Sequence, residues 1–275
     1  MRAENHTPGR ESLDAARLRR AALRPDGLWR KIEVVPSTGS TNADLLARAL
    51  RGEPEGVVLA AEEQTAGRGR LGRSWTAPPY AALTFSVLTR PDVPPARRGW
   101  LPLLTGVAAA AAVTEATGIE ARLKWPNDLL AGPAKLAGIL AEAAGDAVVV
   151  GIGLNVSTEP AELPGPGPGA LPATSLRAAG ATALNREKIL LTILAGFERW
   201  YRAWRQAGGD PDRSGLRPEY TRLSATIGRT VRAELPGGQA LSGPAAGVDS
   251  DGRLLIRVPS GAEVPVAAAD VVHLR

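Results

Sequence analysis

Apolar positions recur along this chain with two alternating periods. Leu45, Leu46, Ala49 and Leu50 stand at helical spacing behind Thr41-Asn42-Ala43-Asp44. That tetrapeptide has the form of a capping box, and Gly52 supplies a stop. Val57–Ala61 is a short apolar run that predicts a buried strand. Leu83-Thr84-Phe85-Ser86-Val87 alternates apolar with polar residues, the pattern of a half-buried strand. Leu101–Thr117 predicts an alanine-rich helix closed by Gly118. Ile139–Ala143 and Ala147–Val156 predict two strands turning at Gly145-Asp146. Ile189, Ile193, Leu194, Phe197, Trp200, Tyr201 and Trp204 mark an amphipathic helix that Gly208-Gly209 ends.

From about Ile227 the texture changes. Short apolar runs, Val231–Leu235 and Leu254–Val258, alternate with glycine turns at 237–238, 247 and 252. Some 50 residues of this kind predict a small β-barrel. No internal repeat is visible. The expected architecture is α+β, with a central mixed, mostly antiparallel sheet, helices, and the C-terminal barrel. The expected domains are a flexible N-terminal tail over 1–27, a main domain over 28–225 and a β module over 226–275. Ser12 to Leu23 has the pattern of one short helix within the tail.

Composition narrows the chemistry. The 275 residues contain no cysteine, which excludes thiolate nucleophiles, disulfides and cysteine–zinc sites. The two histidines, His6 and His273, stand near opposite ends, so a histidine triad or histidine-built metal site is not expected. The net charge of +5 suits either nucleic acid or a few arginines aimed at the phosphates of a small ligand. The first twelve residues lack the apolar core of a secretory signal. The longest apolar run, Leu101–Val113, is too short to span a bilayer. A soluble, cytoplasmic protein without membrane contact is expected.

Four segments carry candidate chemistry. Gln64-Thr-Ala-Gly67-Arg68-Gly69-Arg70-Leu71-Gly72-Arg73-Ser74-Trp75 follows a predicted strand. Its glycines let backbone N–H groups approach a ligand, and its arginines offer forked donors to carboxylate or phosphate. Lys124-Trp125-Pro126-Asn127-Asp128 packs a cation, an aromatic ring and two polar groups into five residues, and Lys135 follows before Gly138. Gly151-Ile-Gly153-Leu-Asn155-Val156 reads as close packing within a strand or as close ligand approach. Ser40-Thr41-Asn42 opens a helix, where a cap and a ligand contact are both open readings.

In this order these segments resemble the biotin–protein ligase family, the biotin–[acetyl-CoA-carboxylase] ligases. The resemblance spans residues 30–225, and the end of the chain is similar to the family's SH3-like domain. With 36 residues before Ser37, the chain resembles stand-alone ligases rather than those with an N-terminal DNA-binding domain. The resemblance implies ATP-dependent conversion of biotin to biotinyl-5′-AMP, then transfer to a lysine of a biotin carboxyl carrier domain of acetyl-CoA or a related acyl-CoA carboxylase. Biotin, ATP and Mg2+ are the implied small molecules, with no separate protein metal site. The implied catalytic residues are Lys135, Arg68, Arg70 and Asp128. Ser40, Thr41, Asn42, Gln64, Gly67, Arg68, Gly69, Arg70, Lys135 and Gly138 would bind biotin. Arg70, Arg73, Trp75, Lys124, Asn127, Lys135 and Asn155 would bind ATP and the adenylate. A monomer without specific DNA binding is expected, with dimerisation on ligand binding left open. The competing readings are a lipoate-type acyl ligase and a non-catalytic biotin-responsive binding protein.

Overall fold

The structure, a computed structural model, describes residues 10–165, 171–235, 238–267 and 269–274. Part of the Pro/Gly loop expected over 163–172, residues 166–170, lies outside the described residues, as does His6. In chain order the elements are α1 (Ala15–Ala22), β1 (Lys31–Val35), α2 (Thr41–Leu50), β2 (Val57–Ala61), β3 (Ala82–Thr89) and α3 (Trp100–Thr117). Then come β4 (Ala121–Lys124), β5 (Asp128–Ala131), β6 (Ala134–Ala144), β7 (Ala147–Asn155), α4 (Arg186–Gln206) and α5 (Leu216–Leu223). The C-terminal strands are β8 (Thr230–Glu234), β9 (Ala240–Val248), β10 (Leu254–Arg257), β11 (Glu263–Val266) and β12 (Asp270–His273).

The large sheet has the order β1-β2-β3-β7-β6-β5-β4. Only β1 and β2 run parallel, joined through α2; the other pairs are antiparallel. A second, five-stranded sheet has the order β11-β10-β9-β8-β12 and is antiparallel throughout. The mixed, mostly antiparallel sheet and the C-terminal β unit are as the sequence predicts.

Both faces of the large sheet are covered. Val58, Ala60, Leu83, Phe85 and Val87 belong to the core they share with α3 and α4. Val57, Leu59, Leu88 and Val149 pack with Leu45 and Ala49 of α2. This corrects the half-buried reading of β3, in which every residue is buried. Thr84 and Ser86 alternate with the apolar side chains because α2 and a cavity, rather than bulk water, lie over that face.

Two further expectations change. The N-cap of α2 is Ser40, whose hydroxyl accepts from the Ala43 N–H. Asp44 is one position too far along for a capping box and instead accepts from the Thr38 hydroxyl at 2.6 Å. Nor is the segment 10–27 a flexible tail. Leu13 and Leu18 are buried, and Leu13 N–H donates to Glu62 at 2.6 Å. Glu62 also pairs with buried Arg186 at 2.6 Å, while Arg10 pairs with Glu162. Two leucines and these ion pairs outweigh the charge density that suggested a solvated end.

Tryptophans occupy structural joints. Trp29, Phe197, Tyr201 and Trp204 form a chain of ring contacts along α4, at centroid distances of 5.6, 5.6 and 6.3 Å. Trp100 and Trp125 bolt the two sheets together, their indole N–H groups donating to the Asp249 and Gly252 carbonyls, each at 3.1 Å. Residues 95–117 are apolar and long enough to cross a membrane by count, yet α3 is packed between sheet and α4.

Candidate functional site

A cavity of about 520 Å³ lies over β3, β7 and β6, between the start of α2, the arginine–glycine loop and the C-terminal sheet. Most of the sequence-predicted site residues line it. They are Ser40, Thr41, Asn42, Gln64, Arg68, Gly69, Arg70, Arg73, Trp75, Lys124, Asn127, Asp128, Lys135 and Gly138. They come from segments up to 98 positions apart in sequence (Ser40 to Gly138), so only the tertiary fold assembles them.

One end is built of neutral polar groups. Gln64 Oε1 accepts from Thr41 N–H at 2.8 Å and lies 3.0 Å from the Thr41 hydroxyl. That hydroxyl is 2.7 Å from Ser86 Oγ, which donates to Asn42 Oδ1 at 2.6 Å. Asn42 Nδ2 donates to Leu140 O at 3.1 Å and to Glu142 at 2.7 Å. The Asn42 amide is therefore committed to the protein. Ser40, Thr41 and Gln64 line the cavity beside it.

The other end is cationic. Lys135 Nζ lies 2.7 Å from Asp128 Oδ1, on the neighbouring strand. Lys135 is gripped at the backbone: its N–H donates to Pro172 O and its carbonyl accepts from Thr174 N–H, both at 2.8 Å. The exit of the Pro/Gly loop thus holds this lysine in place, and Leu171 beside it lines the cavity. Arg70 donates to Asn127 Oδ1 at 3.3 Å, and Asn127 Nδ2 donates to Ile139 O at 2.9 Å. Burial holds the Arg70 guanidinium below its usual range, opposed by the carboxylates of Asp270 and Asp128. Burial also pushes the Lys124 ammonium down; Asp128 opposes this and Lys135 adds to it. Such a cluster of partly desolvated cations seeks an anion.

The two glycines of β7 are cut to their neighbours. A Cβ on Gly151 would sit 2.2 Å from Asn42 Oδ1, and one on Gly153 would sit 2.2 Å from Trp75 Cε2. Trp75 thus lies on the bare backbone of Gly153, near Lys135 and Gly138. Its indole N–H is buried without an acceptor among the described residues. Leu71, at the loop tip, adopts a left-handed conformation at φ 54° and is 64% exposed.

Two predicted residues fall elsewhere. Asn155 does not line the cavity; its amide donates to Thr174 O at 2.9 Å and so anchors the segment that grips Lys135. Gly67 sits at the base of the loop, where a Cβ would strike Trp75 O at 2.4 Å. Sequence reading missed Ser86 and Glu142, which sit in strands with no motif around them. It also missed Glu234 and Asp270, cavity-lining residues paired across β8 and β12. Asp270 forms an ion pair with Arg73 across the two units. His273, also lining the cavity, has its pKa pushed down to about 4 by burial and by the nearby Lys124 and Arg229.

Comparison with known proteins gives the family. Residues 33–158 match the biotin/lipoate A/B protein ligase family, and residues 226–274 match the biotin protein ligase C-terminal domain. A biotin–[acetyl-CoA-carboxylase] ligase of Mycobacterium tuberculosis is 46% identical over 97% of this chain and 97% of its own length. The chain belongs to the biotin–protein ligase family. A bifunctional ligase/repressor BirA of Bacillus subtilis is 33% identical to the ligase over 87% of this chain and 72% of its own length. Among solved structures, a biotin protein ligase from Aquifex aeolicus in complex with biotin and ATP superposes with a TM-score of 0.73. It is 26% identical and covers 90% of the ligase and 100% of its own chain. The α+β architecture and the enzyme class expected from sequence both stand, and the lipoate-type and non-catalytic readings are not favoured.

Proposed function

We propose that the cavity joins biotin to AMP at its cationic centre and then passes the biotinyl group to a lysine of a carrier protein. The observation that carries this reading is the polarity of the cavity. A neutral hydrogen-bonding end suits the ureido ring of biotin, and Arg68, Arg70, Arg73, Lys124 and Lys135 suit carboxylate and phosphates. Thr41 and Gln64, with Ser40, Gly69 and Gly138 shaping the walls and Gly67 fixing the base of the loop, hold the ring. Asn42 acts behind them, through Ser86.

In the first step a biotin carboxylate oxygen bonds to the α-phosphorus of MgATP. The bond from that phosphorus to the bridging oxygen breaks, and pyrophosphate leaves with the electron pair. Two anions about 4 Å apart repel by roughly 4 kcal/mol at an effective dielectric of 20. Lys135 and Arg68 offset this repulsion and stabilise the charge gathering on the transferring group. Lys135 must exchange Asp128 for the ligand oxygens to do so. Arg70, Arg73 and Lys124 hold phosphates, and Trp75 packs on the adenine. Magnesium would arrive on the triphosphate, as part of the substrate. Its charge aids departure of pyrophosphate.

In the second step the acceptor lysine nitrogen attacks the carbonyl carbon of the anhydride, and AMP leaves. Asp128, freed of Lys135, orients the amine and takes its proton. The acceptor is a biotin carboxyl carrier domain of acetyl-CoA or a related carboxylase, and the setting is the cytoplasm. The functional units are a catalytic domain over 28–225 and the small β domain from 226.

Incubation with MgATP and biotin, without acceptor, tests the first step. A stoichiometric burst of pyrophosphate with biotinyl-AMP in the mass spectrum, absent with lipoate, is the expected result. A folded protein that gives no burst overturns the proposal.

A further inference from the structure

Glu142 lies in β6, outside every motif of the sequence, yet it touches both halves of the site. Its Oε2 accepts from Asn42 Nδ2 at 2.7 Å, and its Oε1 lies 3.4 Å from Arg68 Nη1. The contacts form a closed circuit. From Arg68 it runs through Glu142, Asn42, Ser86 and Thr41 to Gln64, which lies on the same loop as Arg68, four residues before it. The circuit joins β6, α2, β3 and the arginine–glycine loop around the neutral end of the cavity.

We propose that Glu142 is a positioning residue that ties the arginine–glycine loop to the ring-binding end, so that the loop holds its place while the adenylate is present. The inference rests on the reading that this end takes biotin and that Arg68 meets the transferring group, and so also the adenylate formed there. An ionised carboxylate only accepts. With the Leu140 carbonyl, it requires Asn42 to present its amide N–H groups on that side and its Oδ1 to Ser86. Ser86 then spends its proton on Asn42 Oδ1, and Thr41 gives its own to Ser86 or Gln64, which leaves a lone pair of Thr41 for an N–H donor of a ligand. The second carboxylate oxygen supplies the opposite charge for Arg68, which ties the glycine-rich loop to β6, apart from the holds that Arg70 and Arg73 have on Asn127 and Asp270.

The two arms separate by substitution. Glu142→Gln keeps an acceptor for Asn42 but removes the charge facing Arg68; Glu142→Ala removes both. The measurements are biotin affinity without nucleotide, release of biotinyl-AMP into solution, KM for ATP and thermal midpoint. For Glu142→Gln the expected result is a biotin Kd within threefold of wild type and at least tenfold faster adenylate release. For Glu142→Ala, biotin Kd also rises at least tenfold, while KM for ATP stays within twofold in both. Arg68→Ala serves as the reference and reproduces the faster release. If it does so while Glu142→Gln releases adenylate at the wild-type rate, the inference fails alone. It also fails if Glu142→Ala lowers the thermal midpoint but leaves Kd and release unchanged. If wild type binds no biotin, or Arg68→Ala retains the adenylate normally, the underlying reading of the site fails instead.

Discussion

Gly151 and Gly153 lie on the same face of β7 two residues apart, and each makes room for a different cavity side chain, Asn42 and Trp75. A methyl group at 153 would sit 2.2, 2.5 and 2.7 Å from Cε2, Nε1 and Cζ2 of Trp75. Ordinary contact begins near 3.4 Å, so the ring must retreat by about 1.2 Å, the difference between 3.4 and 2.2 Å. The backbone at 153 is an ordinary paired strand, so alanine itself brings no conformational strain there. The cost therefore falls on Trp75 and on the base it is proposed to carry. Losing a base–aromatic stack costs about 1–3 kcal/mol, which is roughly a 5- to 150-fold rise in KM for ATP. Gly151→Ala instead drives a methyl into Asn42 Oδ1 and should raise biotin Kd while sparing ATP. Isothermal titration with biotin, and steady-state kinetics with ATP as the varied substrate, read the two effects separately. Adding Gly153→Ala to Trp75→Ala should have little further effect on KM for ATP. If Gly153→Ala changes KM for ATP by less than twofold, or adds its full effect to Trp75→Ala, the assignment of Trp75 to adenine is refuted.

Other outcomes follow from the same geometry. Lys135→Ala should slow adenylate formation at least a hundredfold in a single-turnover pyrophosphate assay, since the Lys135 side chain supplies the charge beside Asp128; near-normal turnover would remove it from the mechanism. Arg70→Gly should loosen the hold on the adenylate phosphate, so that bystander lysines on an added non-acceptor protein become biotinylated; strict acceptor specificity would contradict the role given to Arg70. His273 has a folded pKa of about 4 against the ordinary histidine value of 6.5, so the unfolded chain binds the extra proton between those values. Stability should be fully present above about pH 6.5 and fall as pH drops towards 4, by about 1–2 kcal/mol after allowing for the half-exposed ring. Urea midpoints measured from pH 7 to 4.5 should show this slope for wild type and a shallower one for His273→Gln.

Much of the site is readable along the chain because anion-binding chemistry needs particular residue types held close together. The arginines and glycines of 67–73 and the run from Lys124 to Asp128 announce their chemistry within a few positions. Local patterning likewise announces α2, α3, α4, β2 and the β6–β7 hairpin, α2 and α4 by an apolar stripe and α3, β2 and β7 by apolar runs that are mostly or wholly buried. Strands β1, β4 and β5 do not emerge as separate elements: at four or five residues they are too short for a period to show, and charged residues within β1 and β4 break the unbroken apolar run that marks β2. What the sequence could not show depends on partners distant in the chain. Asn42 reads as a ligand contact until the fold surrounds it with Ser86, Leu140 and Glu142. Asn155 reads as an adenine contact until the strand end places its amide against Thr174. The burial of Leu13, and with it the docking of the N-terminal segment, arises only because Glu62 and Arg186 meet behind it. Motifs are local statements about residue type, whereas hydrogen-bond partners and desolvation are set by which strands lie side by side. The kinds of groups that meet the substrates were therefore written in the chain, and the tertiary structure decided which of them are free to do so.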